Sequence, residues 1–133
     1  MKPTVRVVAA ALYDPSGRVL IAERPPGKHM AGRWEFPGGK ISSGETEAQA
    51  LARELAEELG ITVIASHALM RLSHEYADRV VELSLWIVDG YTGEPASLDG
   101  QRLKWVEPPR LVDEDILEAD RPFVDALAAG ARN

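Results

Sequence analysis

The chain has 133 residues, 45% of them hydrophobic and 27% charged, the balance of one folded domain and not of a disordered, collagen-like or low-complexity chain. Fifteen Lys and Arg against 21 Asp and Glu give a formal net charge of −6, the wrong sign for a protein that holds nucleic acid by neutralising phosphates. The absence of cysteine excludes a disulfide framework, a thiolate nucleophile and a Cys-ligated zinc site, and fits a reducing cytoplasm.

The opening MKPTVRVVAAALY has no small-residue cleavage site, and its apolar run is far shorter than the roughly 20 residues of a membrane span. Val5 to Tyr13 therefore reads as a strand. Asp14-Pro15-Ser16-Gly17 carries turn chemistry before the apolar Val19 to Ala22, a pattern that predicts a hairpin. Arg24 to Gly32 is too rich in Pro and Gly for an element, and Trp34-Glu35-Phe36 is a short strand broken at Pro37-Gly38-Gly39. Thr46 to Leu59 places Ala48, Leu51, Ala52, Leu55 and Leu59 at helical spacing. Thr46 with Gln49 forms a capping box there, and Gly60 stands just past the end. Ile61 to Leu72 and Val80 to Val88 are expected to be paired strands joined by the polar Ser73 to Arg79. Gly90 to Gln101 reads as a loop, and Leu103 to Val106 as a short strand ended by Pro108-Pro109. A last helix, Arg121 to Ala129, buries Phe123, Val124 and Leu127, with Asp120 at its start and Pro122 in its first turn. There is no internal repeat.

The chemistry is concentrated on the first helix. At about 100° per residue, Glu54, Glu57 and Glu58 fall within an arc of about 100°, while Leu51, Leu55 and Leu59 lie on another side. Like charges one turn apart repel by a few tenths of a kcal/mol per pair, a cost that a purely structural helix has little reason to accept, the alternative being an acidic amphipathic helix that simply faces water. A hard divalent cation turns that repulsion into coordination. Mg²⁺, with Mn²⁺ as the alternative, takes oxygen ligands and bridges carboxylates to phosphates, so this face suits a metal-bound polyphosphate. Arg53 reaches Glu57 at i+4 and can orient it. Gly38-Gly39 permits a tight turn and a close backbone approach to a metal or phosphate. Glu45 lies either near the metals or at the helix N-terminus, where a carboxylate is favourable in any case.

Gly39, Glu45, Arg53, Glu54, Leu55, Glu57, Glu58, Gly60 and Ile61 stand at the spacing Gly-x5-Glu-x7-Arg-Glu-U-x-Glu-Glu-x-Gly-U, where U is aliphatic. This resembles the full signature of the Nudix hydrolases, with every fixed position filled from 39 to 61. The likeness extends through Arg24, His29-Met30-Ala31, Glu35 to Ile41 and Asp78-Arg79, and there it is to the MutT-like members, which hydrolyse 8-oxo-dGTP to 8-oxo-dGMP and pyrophosphate. The resemblance implies one Nudix domain over 1–133, an α/β fold with a mixed β-sheet sandwiched between helices. It implies a nucleoside triphosphate partner, a role in nucleotide-pool sanitation and mutation avoidance, and a cytoplasmic monomer or homodimer with no stable nucleic-acid or membrane binding. A metal-activated water would attack the β-phosphorus.

Residue by residue, it gives Gly38 through its carbonyl and Glu54, Glu57 and Glu58 as metal ligands, with Arg53 in the catalytic set and Glu54 as general base. Asp99 falls where the family has a loop glutamate near the metals, and an ordinary loop aspartate is the alternative. Arg24 and Lys40 are phosphate or base contacts or else solvated charges. Phe36 and Tyr76 would flank the base, Phe36 being equally a core residue. Val5 and Val7 either floor the base pocket or belong to the core. His29, Asp78 and Arg79 match substrate-side positions. One departure stands out: Asp120 occupies the place of a base-reading asparagine. An asparagine accepts from N7–H of 8-oxoguanine and donates to O6, whereas an ionised aspartate only accepts. The Ala-Asp-x-Pro segment also resembles the CTP pyrophosphohydrolases of the superfamily, whose substrates are CTP and modified dCTP. In that reading a carboxylate would accept from the exocyclic amine of cytosine. Alternatively, Asp120 caps the last helix.

Overall fold

A computed structural model describes residues 1–28 and 30–132. Among the described residues, seven strands and two α-helices follow in the order β1 (Thr4–Leu12), β2 (Val19–Glu23), β3 (Trp34–Glu35), β4 (Gly38–Lys40), α1 (Glu47–Leu59), β5 (Thr62–Glu75), β6 (Val80–Thr92), β7 (Leu103–Val106) and α2 (Arg121–Ala128). They form two sheets, a four-stranded one in the order β4-β1-β6-β5 and a three-stranded one in the order β3-β2-β7. β1 runs parallel to β6 and antiparallel to β4, so the larger sheet is mixed, as expected of an α/β fold of this kind. Among the described residues no helix is long and apolar enough to cross a membrane.

β1 sits in the middle and is covered on both faces, which is why its sequence reads as an almost unbroken apolar run. Val8, Ala10 and Leu12 pack with Leu51, Leu55 and Leu59 of α1, while Ala9, Ala11 and Tyr13 pack with Phe123, Val124 and Leu127 of α2 and with β2. The helices therefore lie on opposite sides of the larger sheet. α1 has the expected capping box, in which Thr46 Oγ1 accepts from Gln49 N and Gln49 Oε1 from Thr46 N, and it ends at Gly60 in the left-handed region.

Four expectations need correction. The turn at Asp14 exists, its carboxylate accepting from Ser16 N and Arg18 N, but β1 and β2, although packed together in the core, share no ladder beyond the isolated bridge of Tyr13 to Val19 and belong to different sheets. A strand has two edges, and those of β1 are taken by β4 and β6, so β2 pairs with β3 and β7 instead. Second, the Pro-Gly-Gly segment does not end the ordered chain: β4 begins at Gly38 and pairs with Val7–Ala9. Third, β5 and β6 pair antiparallel as expected, yet each runs further, through Glu75 and Thr92, leaving a turn closed by Tyr76 N to Arg79 O at 2.8 Å. Gly90 stays within β6 because the ladder is bulged opposite Ala65. Pro108, expected only to stop β7, opens a 3-10 turn over Pro108–Asp113, and a second such turn, Glu118–Asp120, leads into α2.

Candidate active site

A cleft of about 780 Å³ opens beside the N-terminal half of β1. Val5 and Val7 lie along its floor with Val81 and Leu83 of the neighbouring β6, β4 and α1 supply one end, and the segment before α2 supplies another wall. The cleft gathers Arg24, Phe36, Gly38, Lys40, Glu54, Glu58, Tyr76, Arg79, Asp99 and Asp120, which the sequence scatters over nearly a hundred positions. Arg53, Glu57 and Asp78 do not line it, and His29 lies outside the described residues.

At the α1 end, Glu54 and Glu58 project from one face of the helix toward β4. Two glycines make the approach possible. A Cβ on Gly38 would lie 2.0 Å from the carbonyl oxygen of Val8, and one on Gly39 would lie 2.4 Å from the carboxyl carbon of Glu54. Gly38 enters through its amide, which donates to Glu58 Oε2 at 3.2 Å. Burial is the main reason that the Glu58 pKa rises to about 8; the charge of Glu54 adds to it and the Gly38 amide opposes it. Glu54 is raised as well, by burial, with Arg53 pulling the other way.

Arg53 organises this end without entering the cleft. Its guanidinium donates to Glu45 at 2.6 and 2.9 Å, to Glu54 Oε1 at 3.0 Å and to the Lys40 carbonyl at 3.0 Å. The expected contact with Glu57 is present but long, 3.4 Å, so Arg53 orients Glu54 more than Glu57. Glu45 neither faces the cleft nor caps the helix. It accepts from Ser42 N and anchors Arg53, whose hydrogen bonds are the leading cause of its pKa falling to about 2. Glu57 turns outward, with a side chain 62% exposed. Among the described residues no three carboxylate or imidazole side chains converge into a closed metal cage. The donor set that does face the cleft, two crowded carboxylates beside a backbone stripped of side chains, fits a hard, oxygen-liganded divalent cation.

At the far end, Asp120 is 6% exposed, and among the described residues its carboxylate receives a single long hydrogen bond, 3.5 Å from Phe36 N. It does not cap α2: its backbone is helical and its side chain makes no capping bond. Burial first, and the nearby charge of Glu35 second, raise its pKa to about 7, against the weaker pull of the Phe36 amide and Arg24. Phe36 packs edge-on against Phe123 at 6.4 Å in the core and also lines the cleft. Tyr76 carries the Arg79 guanidinium 4.5 Å from its ring centroid, and Asp78 pairs with that arginine from the solvent side.

Among the cleft residues to which the sequence reading gave no role are Glu35 and His74. Glu35 lines the wall beside Phe36, is held by Arg24 at 2.9 Å, and is pushed above the usual carboxylate range by burial. A lone carboxylate between Trp34 and Phe36 in an apolar strand was the available signal. His74 stands 4.6 Å from the Tyr76 ring and opposite Val81. Ending the strand at Leu72 hid its place on the floor.

Comparison with known proteins agrees with this geometry. Residues 2–127 match the NUDIX domain family. The chain is 35% identical over 122 residues to a CTP pyrophosphohydrolase of Escherichia coli, covering 92% of this chain and 90% of that one. It is also 35% identical over 123 residues to the 8-oxo-dGTP diphosphatase of the same organism, covering 92% and 95%. Among solved structures, a MutT from a study of the Aliivibrio salmonicida and Vibrio cholerae enzymes superposes with a TM-score of 0.84 at 32% identity, covering 95% of this chain and 98% of that one.

Proposed function

The chain belongs to the NUDIX family, and from that premise we propose that it is a Mg²⁺-dependent nucleoside triphosphate diphosphatase that converts 8-oxo-dGTP to 8-oxo-dGMP and pyrophosphate. The observation that carries this reading is the placement of Asp120, buried and nearly unpartnered, in the same cleft as Glu54 and Glu58. One end of the cleft holds carboxylates suited to cleaving a phosphoanhydride. The other holds a group suited to reading a base.

Glu54, Glu58 and the Gly38 carbonyl would hold Mg²⁺, or Mn²⁺ in its place, with Glu57 and Asp99 as outer candidates. When bound, such a cation acidifies a water and screens the triphosphate. Glu54 takes the proton of the attacking water as the water oxygen adds to the β-phosphorus and the α–β bridging oxygen leaves on the nucleoside monophosphate. Arg53 holds Glu54 in place for this transfer. Lys40 offsets charge on the phosphates, and Arg24, already bound to Glu35, faces the nucleoside side. With a pKa near 7, Asp120 retains its proton up to neutral pH and then presents a donor as well as an acceptor, as an asparagine would. That supports 8-oxoguanine as the base. The ionised form supports the second reading, CTP or 5-methyl-dCTP, because a carboxylate complements the cytosine amine.

The test is a panel of 8-oxo-dGTP, dGTP, CTP and 5-methyl-dCTP, each with and without Mg²⁺, from pH 6 to 9. Preference for 8-oxo-dGTP over dGTP is expected to weaken as pH rises through about 7, and Asp120→Asn is expected to remove that dependence. The variant should shift preference toward 8-oxo-dGTP by about 1–3 kcal/mol, the scale of a bidentate base contact. No Mg²⁺-dependent pyrophosphate release from any of the four would overturn the enzymatic reading. An unchanged ranking across pH and in the variant would overturn the role given to Asp120.

A further inference from the structure

A second cavity, of about 500 Å³, lies at the opposite end of β1 and β6 from the nucleotide cleft. Tyr13, Tyr91 and Trp105 give it aromatic walls, and Asp14, Asp89 and Glu94 give it carboxylates. Tyr13 is 5% exposed, and its hydroxyl makes no hydrogen bond among the described residues although the residue borders this open space. Over its ring, 3.7 Å from the centroid, sits the guanidinium of Arg132. The tail that brings it there is built: Gly130 N donates to Leu127 O, Ala131 N to Ala126 O, and His67 Nε2 to the Arg132 carbonyl at 2.8 Å.

Arg132 forms no ion pair among the described residues, and its guanidinium, carried there by the anchored tail, rests on the tyrosine face. The carboxylates are only partly used. Asp14 is committed to Arg18 and to two backbone amides, whereas Asp89 and Glu94 have no hydrogen-bond or ion-pair partner among the described residues. With Arg18 in its wall neutralised by Asp14, and Arg132 stacked at its edge against two uncommitted carboxylates, the cavity keeps a net negative charge between aromatic walls and is complementary to a further guanidinium. We propose that this cavity is a binding site for an arginine side chain presented by another polypeptide, with Arg132 forming one of its walls. Free arginine is a poorer fit, since its own carboxylate would face Asp89 and Glu94.

The full-length, isotope-labelled chain titrated with N-acetyl-arginine methylamide tests this. Saturable amide shifts are expected at Asp89, Gly90, Tyr91 and Glu94, with none from the uncharged citrulline counterpart and at least about fivefold weaker binding of free arginine. The surface double variant Asp89→Asn/Glu94→Gln should lower affinity by about tenfold with nucleotide hydrolysis unchanged. Arg132→Ala, which vacates the Tyr13 face and removes a competing charge, should bind the probe more tightly. Absence of saturable shifts in both the parent chain and Arg132→Ala would overturn the site. So would equal binding of the citrulline compound or of free arginine, or undiminished affinity in the double variant.

Discussion

Replacing Asp120 by Asn should make the protein more stable, and by an amount that grows with pH. The buried carboxyl titrates near 7 in the folded chain against 3.8 when exposed, so the native state binds the proton more tightly than the unfolded state. Below pH 3.8 both states are protonated and the group contributes nothing. Between 3.8 and about 7 only the unfolded state ionises, stability falls as pH rises, and above 7 the penalty is complete. At about 1.36 kcal/mol per pH unit, a gap of about 3 units sets a ceiling of roughly 4 kcal/mol. Asn keeps an acceptor for the Phe36 amide and has no proton to lose. Thermal unfolding of both chains without metal, at steps from pH 4 to 8.5, should show curves that converge at the acid end. They should separate in favour of the variant by on the order of 10 °C at the alkaline end. Glu35 and Glu58 titrate in both proteins and largely drop out of the difference. A difference that is flat with pH, or that favours Asp120 at pH 8.5, would refute the assignment of a high proton affinity to this side chain.

Glu54→Gln and Glu58→Gln are each expected to lower kcat by at least about 100-fold while the fold and its unfolding temperature without metal hold or rise, because a crowded carboxylate is neutralised. Near-normal turnover in both would remove the pair from the chemistry. Glu57, turned outward, should behave differently: Glu57→Gln is expected to raise the Mg²⁺ concentration needed for half-maximal activity more than it lowers kcat at saturating metal. Gly39→Ala introduces a methyl 2.4 Å from the Glu54 carboxyl carbon, and that flexible end must swing aside. The expected result is a folded protein with kcat reduced at least about tenfold; full activity would show that the position of Glu54 is not critical.

What was legible in the sequence shared one property, that its cause was local. The limits of α1 follow from apolar spacing, the Thr46–Gln49 pair and Gly60, all within fifteen residues, and Glu54 and Glu58 share a face because four residues make just over one turn. β4 was not legible, since a Pro-Gly-Gly run carries the local chemistry of a break and becomes a strand only because β1 lies alongside with no room for a Cβ. The hairpin failed for the same kind of reason, through competition from distant strands for the edges of β1. Asp120 shows where the boundary falls within one residue. The sequence marked it as an aspartate where the resemblance puts a base-reading asparagine, but whether its side chain caps a helix or faces the cleft, and with or without a proton, depends on Phe36, Glu35 and Arg24, the first of them 84 residues away. Identity at a site can be written in a motif. Protonation state is a property of the assembled cleft, and here it is protonation that would decide between the two bases to which relatives of this chain point.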